Sequence, residues 1–306
     1  MSDRLGFAAT SAYGAECLRR VVAAGAPIEI VLTQPDRPAG RSRRSTPPPA
    51  ADVARELGLP VLQPEHALDA LGDLRAAGVA AMGICAYGQL LPDALLDAFA
   101  WVNLHPSALP RWRGAAPVER AILAGDTTTA AVVMAVVAEL DAGPVVTAVP
   151  MNIGPRENAG EVMERSLELG APPLAAALAA AATGSLTTTP QSADGVTYAH
   201  KLTAADRRID PQGPVVDADR LVRALAPHIG AAIVLAGERC IVWRAAPAPE
   251  HVRAGEVAET GGRLLIGLAD GALEIETIQP AGKRSMTAGE LLRGRRGPCG
   301  PATRAD

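Results

Sequence analysis

The sequence predicts an α/β protein of two domains, in which a doubly wound parallel sheet is followed by a small antiparallel β-barrel. Strand-like apolar runs alternate with helical patterns through the first half, and short strands separated by glycine turns fill the last third. The chain has 306 residues, and domains usually contain ~100–200 residues, so two are expected. We predict a Rossmann-like domain at 1–189, a linker at 190–213 and a small OB-like barrel at 214–306.

Strands and helices alternate through the first half of the chain. The predicted strands are apolar runs at 5–9, 28–33, 79–85, 102–104 and 130–137. The predicted helices cover residues 11–25, 50–57 and 158–182. This alternation is typical of a parallel sheet with helical crossovers.

Ligands of such sheets bind beyond the carboxyl ends of the strands. The loops after Thr33, Cys85 and Leu104 are therefore candidate binding loops. The first of the predicted strands is followed by Thr10-Ser11, and no G-x-G-x-x-G sequence is found there. A dinucleotide cofactor is thus disfavoured.

The pattern changes near residue 214. One helix is predicted at 217–226, and short strands follow it at 231–236, 240–245, 255–258, 264–268 and 273–278. Turn residues lie between the strands at Gly237, Gly261-Gly262 and Asp270-Gly271. Short strands at this spacing favour a small barrel.

Composition excludes several classes of protein. Apolar residues make up 48% of the chain, too many for a disordered protein. No run of ~18 uncharged apolar residues exists to span a membrane, and the N-terminus lacks an export signal, so we expect a cytoplasmic protein. The net charge is only −4, so any contact with a polyanion must come from local basic clusters.

The four cysteines, Cys17, Cys85, Cys240 and Cys299, are far apart in the sequence. No Cys-x-x-Cys pair offers a zinc site, and a disulfide framework is not expected at such separations. We therefore predict buried thiols and no metal site.

One segment carries residues suited to catalysis. Residues 102–117 read VNLHPSALPRWRGAAP. The apolar strand delivers Asn103 and His105, which are two residues apart and so point to the same side, before Pro106 ends the ladder. A carboxamide beside an imidazole can stabilise a developing oxyanion or move a proton. The same residues also fit a plain strand-end turn with a hydrogen-bonded histidine.

A second candidate is the carboxylate of Asp141. It follows the β-branched run 130–137, in the segment AELDAGP at 138–144. A carboxylate beside a Gly-Pro turn is most often a turn former. Taken alone, this residue therefore indicates no function.

Taken together, these motifs resemble those of the methionyl-tRNA formyltransferases, a family of formyltetrahydrofolate-dependent transferases. The resemblance rests on residues 103–117, on TQPDRPAGR at 33–41, and on QPAGKRSM at 279–286 followed by LLRG at 291–294. Weaker matches are AYG at 86–88 and YAHKL at 198–202. The resemblance covers essentially the whole chain in order.

The resemblance implies transfer of a formyl group from 10-formyltetrahydrofolate to the α-amine of methionine on initiator tRNA. It implies a catalytic trio of Asn103, His105 and Asp141. Asn103 and His105 would stabilise the oxyanion that forms, and Asp141 would orient the imidazole and relay the proton of the amine. No metal is required, and methionyl initiator tRNA and a small-molecule folate are the expected partners of a monomer.

The resemblance also implies binding residues for both substrates. The expected folate-binding residues are Cys85, Ala86, Tyr87, Gly88, Leu90, Leu91, Ser107, Ala108, Leu109, Pro110, Ala138 and Leu140. The expected tRNA-binding residues are Arg37, Arg41, Arg43, Arg44, Arg111, Trp112, Arg113, Lys283 and Arg284. Arginine suits phosphate because its planar fork bonds two oxygens at once, and a tryptophan can stack on a terminal base or pack on a nearby proline.

The sequence departs from the family pattern at four positions. Ala9 and Ser11 stand where the family usually has Gly and Pro, Ala142 follows Asp141 where Thr is usual, and Ala108 stands where Leu is common. Alanine in place of glycine removes a close backbone approach to a ligand. None of these departures affects the trio, so activity is expected.

Two other functions remain open at this stage. The chain could formylate a small amine such as a nucleotide-linked amino sugar, or hydrolyse formyltetrahydrofolate. It could also be a tRNA-binding homologue that has lost catalysis. The basic loop at 41–44 and the C-terminal barrel argue against the first alternative, and the intact trio argues against the second.

Overall fold

The computed structural model describes residues 4–39, 44–294 and 299–305. The chain divides into two compact units. The first comprises Met1–Gly114, Thr128–Asn152 and Met163–Tyr198, and the second comprises Ala115–Thr127, Ile153–Val162 and Ala199–Asp306.

The strands are numbered in chain order. They are β1 (Arg4–Ala9), β2 (Ile28–Leu32), β3 (Arg37–Ala39), β4 (Arg44–Thr46), β5 (Val61–Leu62), β6 (Val79–Cys85), β7 (Ala100–His105), β8 (Arg113–Gly114), β9 (Thr128–Ala135), β10 (Val145–Asn152), β11 (Tyr198–Ala199), β12 (Ala231–Leu235), β13 (Glu238–Ala248), β14 (Val257–Thr260), β15 (Arg263–Leu268), β16 (Gly271–Pro280), β17 (Met286–Thr287) and β18 (Ala302–Arg304).

The helices are numbered in the same way. They are α1 (Ala12–Ala23), α2 (Pro49–Glu56), α3 (Leu71–Ala76), α4 (Asp93–Ala98), α5 (Pro117–Ala124), α6 (Ala159–Ala182), α7 (Val215–Leu225) and α8 (Ala288–Arg293). Two short 3-10 turns lie at Ala67–Ala70 and Ala205–Arg207.

The first unit contains one large sheet, with strands in the order β10-β9-β7-β6-β1-β2-β5. The five strands β7, β6, β1, β2 and β5 run parallel to one another. At one edge of the sheet, β9 pairs antiparallel with β7, and β10 pairs antiparallel with β9. The carboxyl ends of β1, β2, β6 and β7 therefore share one edge of the sheet. The predicted doubly wound sheet is confirmed.

Close packing in this unit pairs a large side chain with a glycine. Phe7 on β1 is fully buried and lies in register with Gly83 on β6. A Cβ atom on Gly83 would lie 2.6 Å from Cδ2 of Phe7 and 3.1 Å from Cδ1 of Leu178 on α6. Gly83 thus leaves the space that the aromatic ring and the helix fill.

Helix α1 begins directly after β1 because Ser11 caps it. The Ser11 hydroxyl accepts a hydrogen bond from the backbone N–H of Gly14 at 3.2 Å. A serine at this position satisfies one of the free N–H groups of the first helical turn. The departure from proline at position 11 therefore gives the helix a side-chain cap.

The second unit is built on an antiparallel sheet in the order β14-β15-β16-β13-β12-β18, with β17 paired to β16. The N–H of Ala302 on β18 donates to the carbonyl of Gly255, just before β14, at 2.8 Å. The sheet therefore curls, and its edge strands approach each other. Val222 and Leu225 of α7 pack against its buried face. The predicted C-terminal β-structure is confirmed as a curled antiparallel sheet.

Several elements of the first unit were not predicted, among them β5, α3 and α4, and two further differences have a physical reason. The basic segment after β2, predicted as a loop, contains a short hairpin in which Arg37 of β3 pairs with Thr46 of β4. β10 was not predicted, because it is half-exposed and contains Pro150. Proline is tolerated at position 150 because β10 is the edge strand of the large sheet.

All four cysteines are buried, as the sequence predicts. Burial raises the pKa of the Cys17 thiol well above its ordinary value, so this group stays neutral. Within the described ranges, no helix combines the length and apolar character needed to cross a membrane.

We predict that Gly83→Ala destabilises the protein by about 1–3 kcal/mol, because the added methyl group overpacks the space beside Phe7. Gly72→Ala on α3 is the matched control, since a Cβ atom there meets nothing within 4 Å. The free energy of unfolding of Gly72→Ala should be unchanged or higher by about 0.5–1 kcal/mol, since alanine is favoured over glycine inside a helix. Chemical denaturation measures both, and a Gly83→Ala variant as stable as the unsubstituted protein would contradict this packing.

Candidate active site

Strand β7 carries two polar side chains to the carboxyl edge of the sheet. Asn103 pairs with Ile84 of β6 on one side and Met134 of β9 on the other, and His105 pairs with Val132 of β9. Because Asn103 and His105 are two residues apart on a strand, they lie on the same face. Asn103 is half-buried, and the described residues offer its carboxamide no hydrogen bond.

His105 is buried and is contacted at both ring nitrogens. Its Nε2 lies 2.9 Å from the backbone carbonyl oxygen of Trp112. A carbonyl oxygen can only accept, so the neutral ring carries its proton on Nε2. Its Nδ1 lies 3.7 Å from Oδ2 of Asp141. In this tautomer Nδ1 carries the lone pair of the ring, and it faces a carboxylate.

Asp141 lies in the turn between β9 and β10, with a positive φ of 48°. Its Oδ2 accepts a hydrogen bond from the N–H of Gly114 at 2.8 Å. A Cβ atom on Gly143 would lie 1.7 Å from the carbonyl oxygen of Ala135, so only glycine allows this close turn. The carboxylate is thus directed toward His105 by backbone contacts from two other segments.

The loop after β7 folds back on the histidine. Trp112 has a positive φ of 63°, and its carbonyl also accepts a bond from the Ser107 hydroxyl at 3.3 Å. The N–H of Trp112 donates to Oγ1 of Thr197 at 2.9 Å. The guanidinium of Arg111 lies 4.3 Å from the centre of the Trp112 ring. One face of that ring is therefore occupied by a cation–π contact.

Arg113 does not lie on the surface as its predicted role in phosphate binding would require. The residue is 6% exposed. Its Nη1 donates to Oε1 of Glu139 at 3.0 Å, and its Nε and Nη2 donate to Oε1 of Gln191 at 3.2 and 2.9 Å. A buried guanidinium with these partners is an internal contact, which disfavours a role in binding phosphate.

The predicted folate segment begins where β6 ends. Cys85 is buried, and Ala86 and Gly88 both have positive φ values, of 48° and 83°. Tyr87, predicted to offer apolar contact, packs its ring into the core and exposes only 1% of its surface. Burial raises the pKa of Tyr87 to about 12. Its carbonyl oxygen accepts from Gln34 Nε2 at 2.9 Å, which fixes the backbone of the loop.

Exposed apolar side chains lie on the loops that follow β6 and β9. Leu90 after β6 is 79% exposed, and Val137 and Leu140 after β9 are 41% and 48% exposed. Large exposed apolar groups on binding loops are typical of a ligand surface. The remaining predicted folate residues lie nearby in sequence: Leu91 half-buried, Ser107 buried, Ala108 and Ala138 exposed, and Leu109 and Pro110 half-buried.

The predicted tRNA-binding residues fall into three groups. Arg37 is exposed at the start of β3, whereas Arg41 and Arg43 lie outside the described residues, and only the backbone of Arg44 is described, on β4. Arg111 and Trp112 are half-buried in the loop after β7. Lys283 and Arg284 are exposed in the turn between β16 and β17, where Arg284 pairs with Glu290 at 3.1 Å.

No motif in the sequence points to two residues whose side chains hold the site. Gln191 donates to the backbone carbonyls of Asp141 and Gly143, both at 2.8 Å. Thr197 anchors Trp112. Gln191 lies inside the stretch 184–195, and Thr197 lies just beyond it; this stretch is rich in Thr, Ser, Pro and Asp and indicates only a linker. A glutamine or threonine in such a stretch carries no recognisable signal.

Two family models match the chain in order. Residues 10–178 match formyl transferase, and residues 201–296 match the formyl transferase C-terminal domain. The first match alone covers more than half of the chain. The chain therefore belongs to the formyl transferase family, as its motifs predict.

Two relatives show which members of that family the chain is similar to. The chain is 43% identical over 303 residues to the methionyl-tRNA formyltransferase of Halorhodospira halophila, with 97% of each chain covered. It is 39% identical over 310 residues to the methionyl-tRNA formyltransferase of Paracidovorax citrulli, with 94% of each chain covered.

Solved structures share the fold at low identity. HypX from Aquifex aeolicus, in complex with tetrahydrofolic acid, matches with a TM-score of 0.65 and 16% identity over 94% of this chain. The match covers 46% of HypX, so this chain spans about half of that protein. The sugar 3N-formyl transferase WlaRD matches with a TM-score of 0.62 and 14% identity, covering 92% of this chain and 98% of its own.

Proposed function

We propose that this chain transfers a formyl group from 10-formyltetrahydrofolate to the α-amine of methionine carried by initiator tRNA. The observation that carries the proposal is the approach of His105 and Asp141, with Nδ1 and Oδ2 3.7 Å apart at the carboxyl edge of the sheet. It is supported by relatives named methionyl-tRNA formyltransferase that are about 40% identical over nearly the full length.

Asn103, His105 and Asp141 have separate roles in this proposal. The Asn103 amide donates a hydrogen bond to the formyl oxygen as that atom gains negative charge, a contribution of about 3–4 kcal/mol for a good donor. His105 takes up a proton at Nδ1 as the attacking amine loses one. The carboxylate of Asp141 then stabilises the positive imidazole ring, while the carbonyl of Trp112 holds its other nitrogen. The ring gives its proton to N10 of the folate as the bond between N10 and the formyl carbon breaks, so tetrahydrofolate leaves as a neutral amine.

The formyl donor fits the loops that follow β6 and β9. A pteridine ring system is flat and partly apolar, and Leu90 and Leu140 present exposed apolar surface on these two loops. The left-handed backbone at Ala86 and Gly88 turns the chain sharply after β6, and the hydrogen bonds that Thr10 and Gln34 donate to the Tyr87 carbonyl hold this turn in place. We propose that these residues hold the folate and that its formyl group supplies the transferred carbon.

Recognition of tRNA is proposed to rest on exposed basic residues. Arg37 of the first unit, with Lys283 and Arg284 of the second, are exposed and suited to phosphate. The same proposal covers the basic residues of the segment after β2, namely Arg41, Arg43 and Arg44. It also covers Arg111 and Trp112 in the loop after β7. We retain 1–189 as the catalytic domain, 190–213 as a linker and 214–306 as the tRNA-binding domain in this proposal.

A cytoplasmic location follows from the proposed substrate, because aminoacylated tRNA is a cytoplasmic molecule. The monomeric state stays a prediction. Formylation of a small amine, and a tRNA-binding protein without catalysis, are the two functions that the experiments must separate from the proposed one.

One assay separates these functions. Purified protein is given 10-formyltetrahydrofolate with methionyl initiator tRNA, with methionyl elongator tRNA, or with free amino sugars. We expect formyl methionine on the initiator tRNA and little product from the other acceptors. Product formed only on free amines would overturn the proposal, and tRNA binding without turnover would favour the inactive homologue.

We predict that His105→Ala lowers kcat by at least ~100-fold while the KM for tRNA changes little, because the ring acts in the transition state. His251→Ala is the matched control, since His251 is exposed in the second unit. Steady-state kinetics with saturating folate measures both variants. An unchanged kcat for His105→Ala would refute the assigned role.

We predict that Arg284→Ala weakens the binding of initiator tRNA. The slope of the logarithm of the binding constant against the logarithm of the salt concentration should also fall in magnitude by about 1, as expected for one lost phosphate contact. Arg253→Ala is the control, because both arginines are exposed, by 77% and 83%, and both pair with a glutamate. Filter binding at several salt concentrations tests the pair. Equal slopes for the two variants would remove Arg284 from the proposed interface.

A further inference from the structure

The segment that follows α6 is fixed over the Asp141 turn at both of its ends. Thr189 exchanges two backbone hydrogen bonds with Val145 on β10, each of 2.8 Å. Eight residues later, the carbonyl of Thr197 accepts from the N–H of Arg113 at 2.9 Å. Residues 190–196 are therefore tethered at both ends beside the turn.

Gln191 lies between the two anchors and uses both ends of its amide. Its Nε2 donates to the carbonyls of Asp141 and Gly143, at 2.8 Å each. Its Oε1 accepts two hydrogen bonds from Arg113. This orientation of the amide is fixed by its partners, because carbonyl oxygens only accept and a guanidinium only donates.

Arg113 supports this glutamine from a buried position. Its side chain is 8% exposed, whereas that of its ion-pair partner Glu139 is 67% exposed. Solvent screens the Glu139 carboxylate, so the contacts with Gln191 are the better shielded of its interactions. Arg113 also precedes Gly114, whose N–H holds the Asp141 carboxylate.

We call the pair of residues Gln191 and Arg113 the bracket. The bracket holds the backbone of the Asp141 turn, and the N–H of Gly114 holds the side chain of the same residue. Asp141 has a left-handed backbone, which an aspartate adopts only when its surroundings impose it. Removal of the bracket would let the turn relax and would move the carboxylate away from His105.

We propose that Gln191 and Arg113 are positioning residues that hold Asp141 at its working distance from His105. The inference rests on the proposed function, in which Asp141 acts on that imidazole. It also gives Arg113 a role that differs from phosphate binding.

Gln191→Ala tests the first half of the proposal. We expect kcat for formylation of methionyl initiator tRNA to fall about 10–100-fold, since small misplacements of catalytic groups have effects of this size. The KM for tRNA should stay within about twofold. Gln63→Ala is the matched control, because Gln63 is also half-buried and its Nε2 also donates to two oxygens, those of Gln34 and Asp36. The control should keep the unsubstituted kcat.

Gln191→Glu gives a readout that a merely structural role would not produce. The introduced carboxylate still accepts from Arg113, but its other oxygen faces two carbonyl oxygens and can donate to them only when protonated. The kcat of Gln191→Glu, divided by that of the unsubstituted protein, should therefore rise as the pH is lowered. The same ratio for Gln191→Ala should not change with pH. Equal pH profiles for the two variants would overturn the proposal.

Arg113→Ala distinguishes positioning from phosphate binding. Positioning predicts a lower kcat with an unchanged salt slope for tRNA binding. A raised KM and a smaller salt slope with unchanged kcat would assign Arg113 to the phosphate backbone and overturn its role in the bracket. Thermal unfolding of each variant establishes that it is folded before kinetics are compared.

Failure of the proposed function is distinguishable from failure of the bracket. If the unsubstituted protein formylates no acceptor, the proposed function fails, and the bracket is then tested by NMR of ¹⁵N-histidine-labelled protein. The ring signals of His105, assigned by their loss in His105→Ala, should shift in folded Gln191→Ala and stay in place in Gln63→Ala. If the unsubstituted protein is active, an unchanged kcat in folded Gln191→Ala refutes the bracket alone.

Discussion

The geometry of the candidate site depends on how one carboxylate, that of Asp141, is held. A left-handed backbone at a residue other than glycine costs about 1–3 kcal/mol and persists only where neighbouring contacts impose it. Here the Gly114 N–H binds the carboxylate, the absence of a side chain at Gly143 lets the turn approach Ala135, and Gln191 binds two carbonyls of the turn. Three separate parts of the chain thus determine where a single charge lies.

The sequence predicted those features that depend on local pattern. Alternating apolar runs and helical periods indicated the parallel sheet, and glycine turns indicated the curled antiparallel sheet of the second unit. Strand periodicity also placed Asn103 and His105 on one face, which the β7 register bears out. A strand has a period of two wherever it lies, so this inference needs no tertiary information.

The features that the sequence did not predict depend on contacts between distant residues. Arg111 and Arg113 look alike in the sequence, yet one lies over a tryptophan ring while the other is buried against Gln191. Tyr87 sits in a binding-loop motif, but its ring fills the core. Burial of a polar side chain is decided by which partners the fold brings to it, and a single sequence does not contain that information.

The buried thiol of Cys17 gives the folded chain a property of practical use. Alkylating reagents capture the thiolate, so a thiol that is both enclosed and protonated reacts only after the surrounding backbone opens. Cys17 belongs to the first unit and is fully buried. Its alkylation rate therefore reports how often the backbone around it opens, without any introduced label.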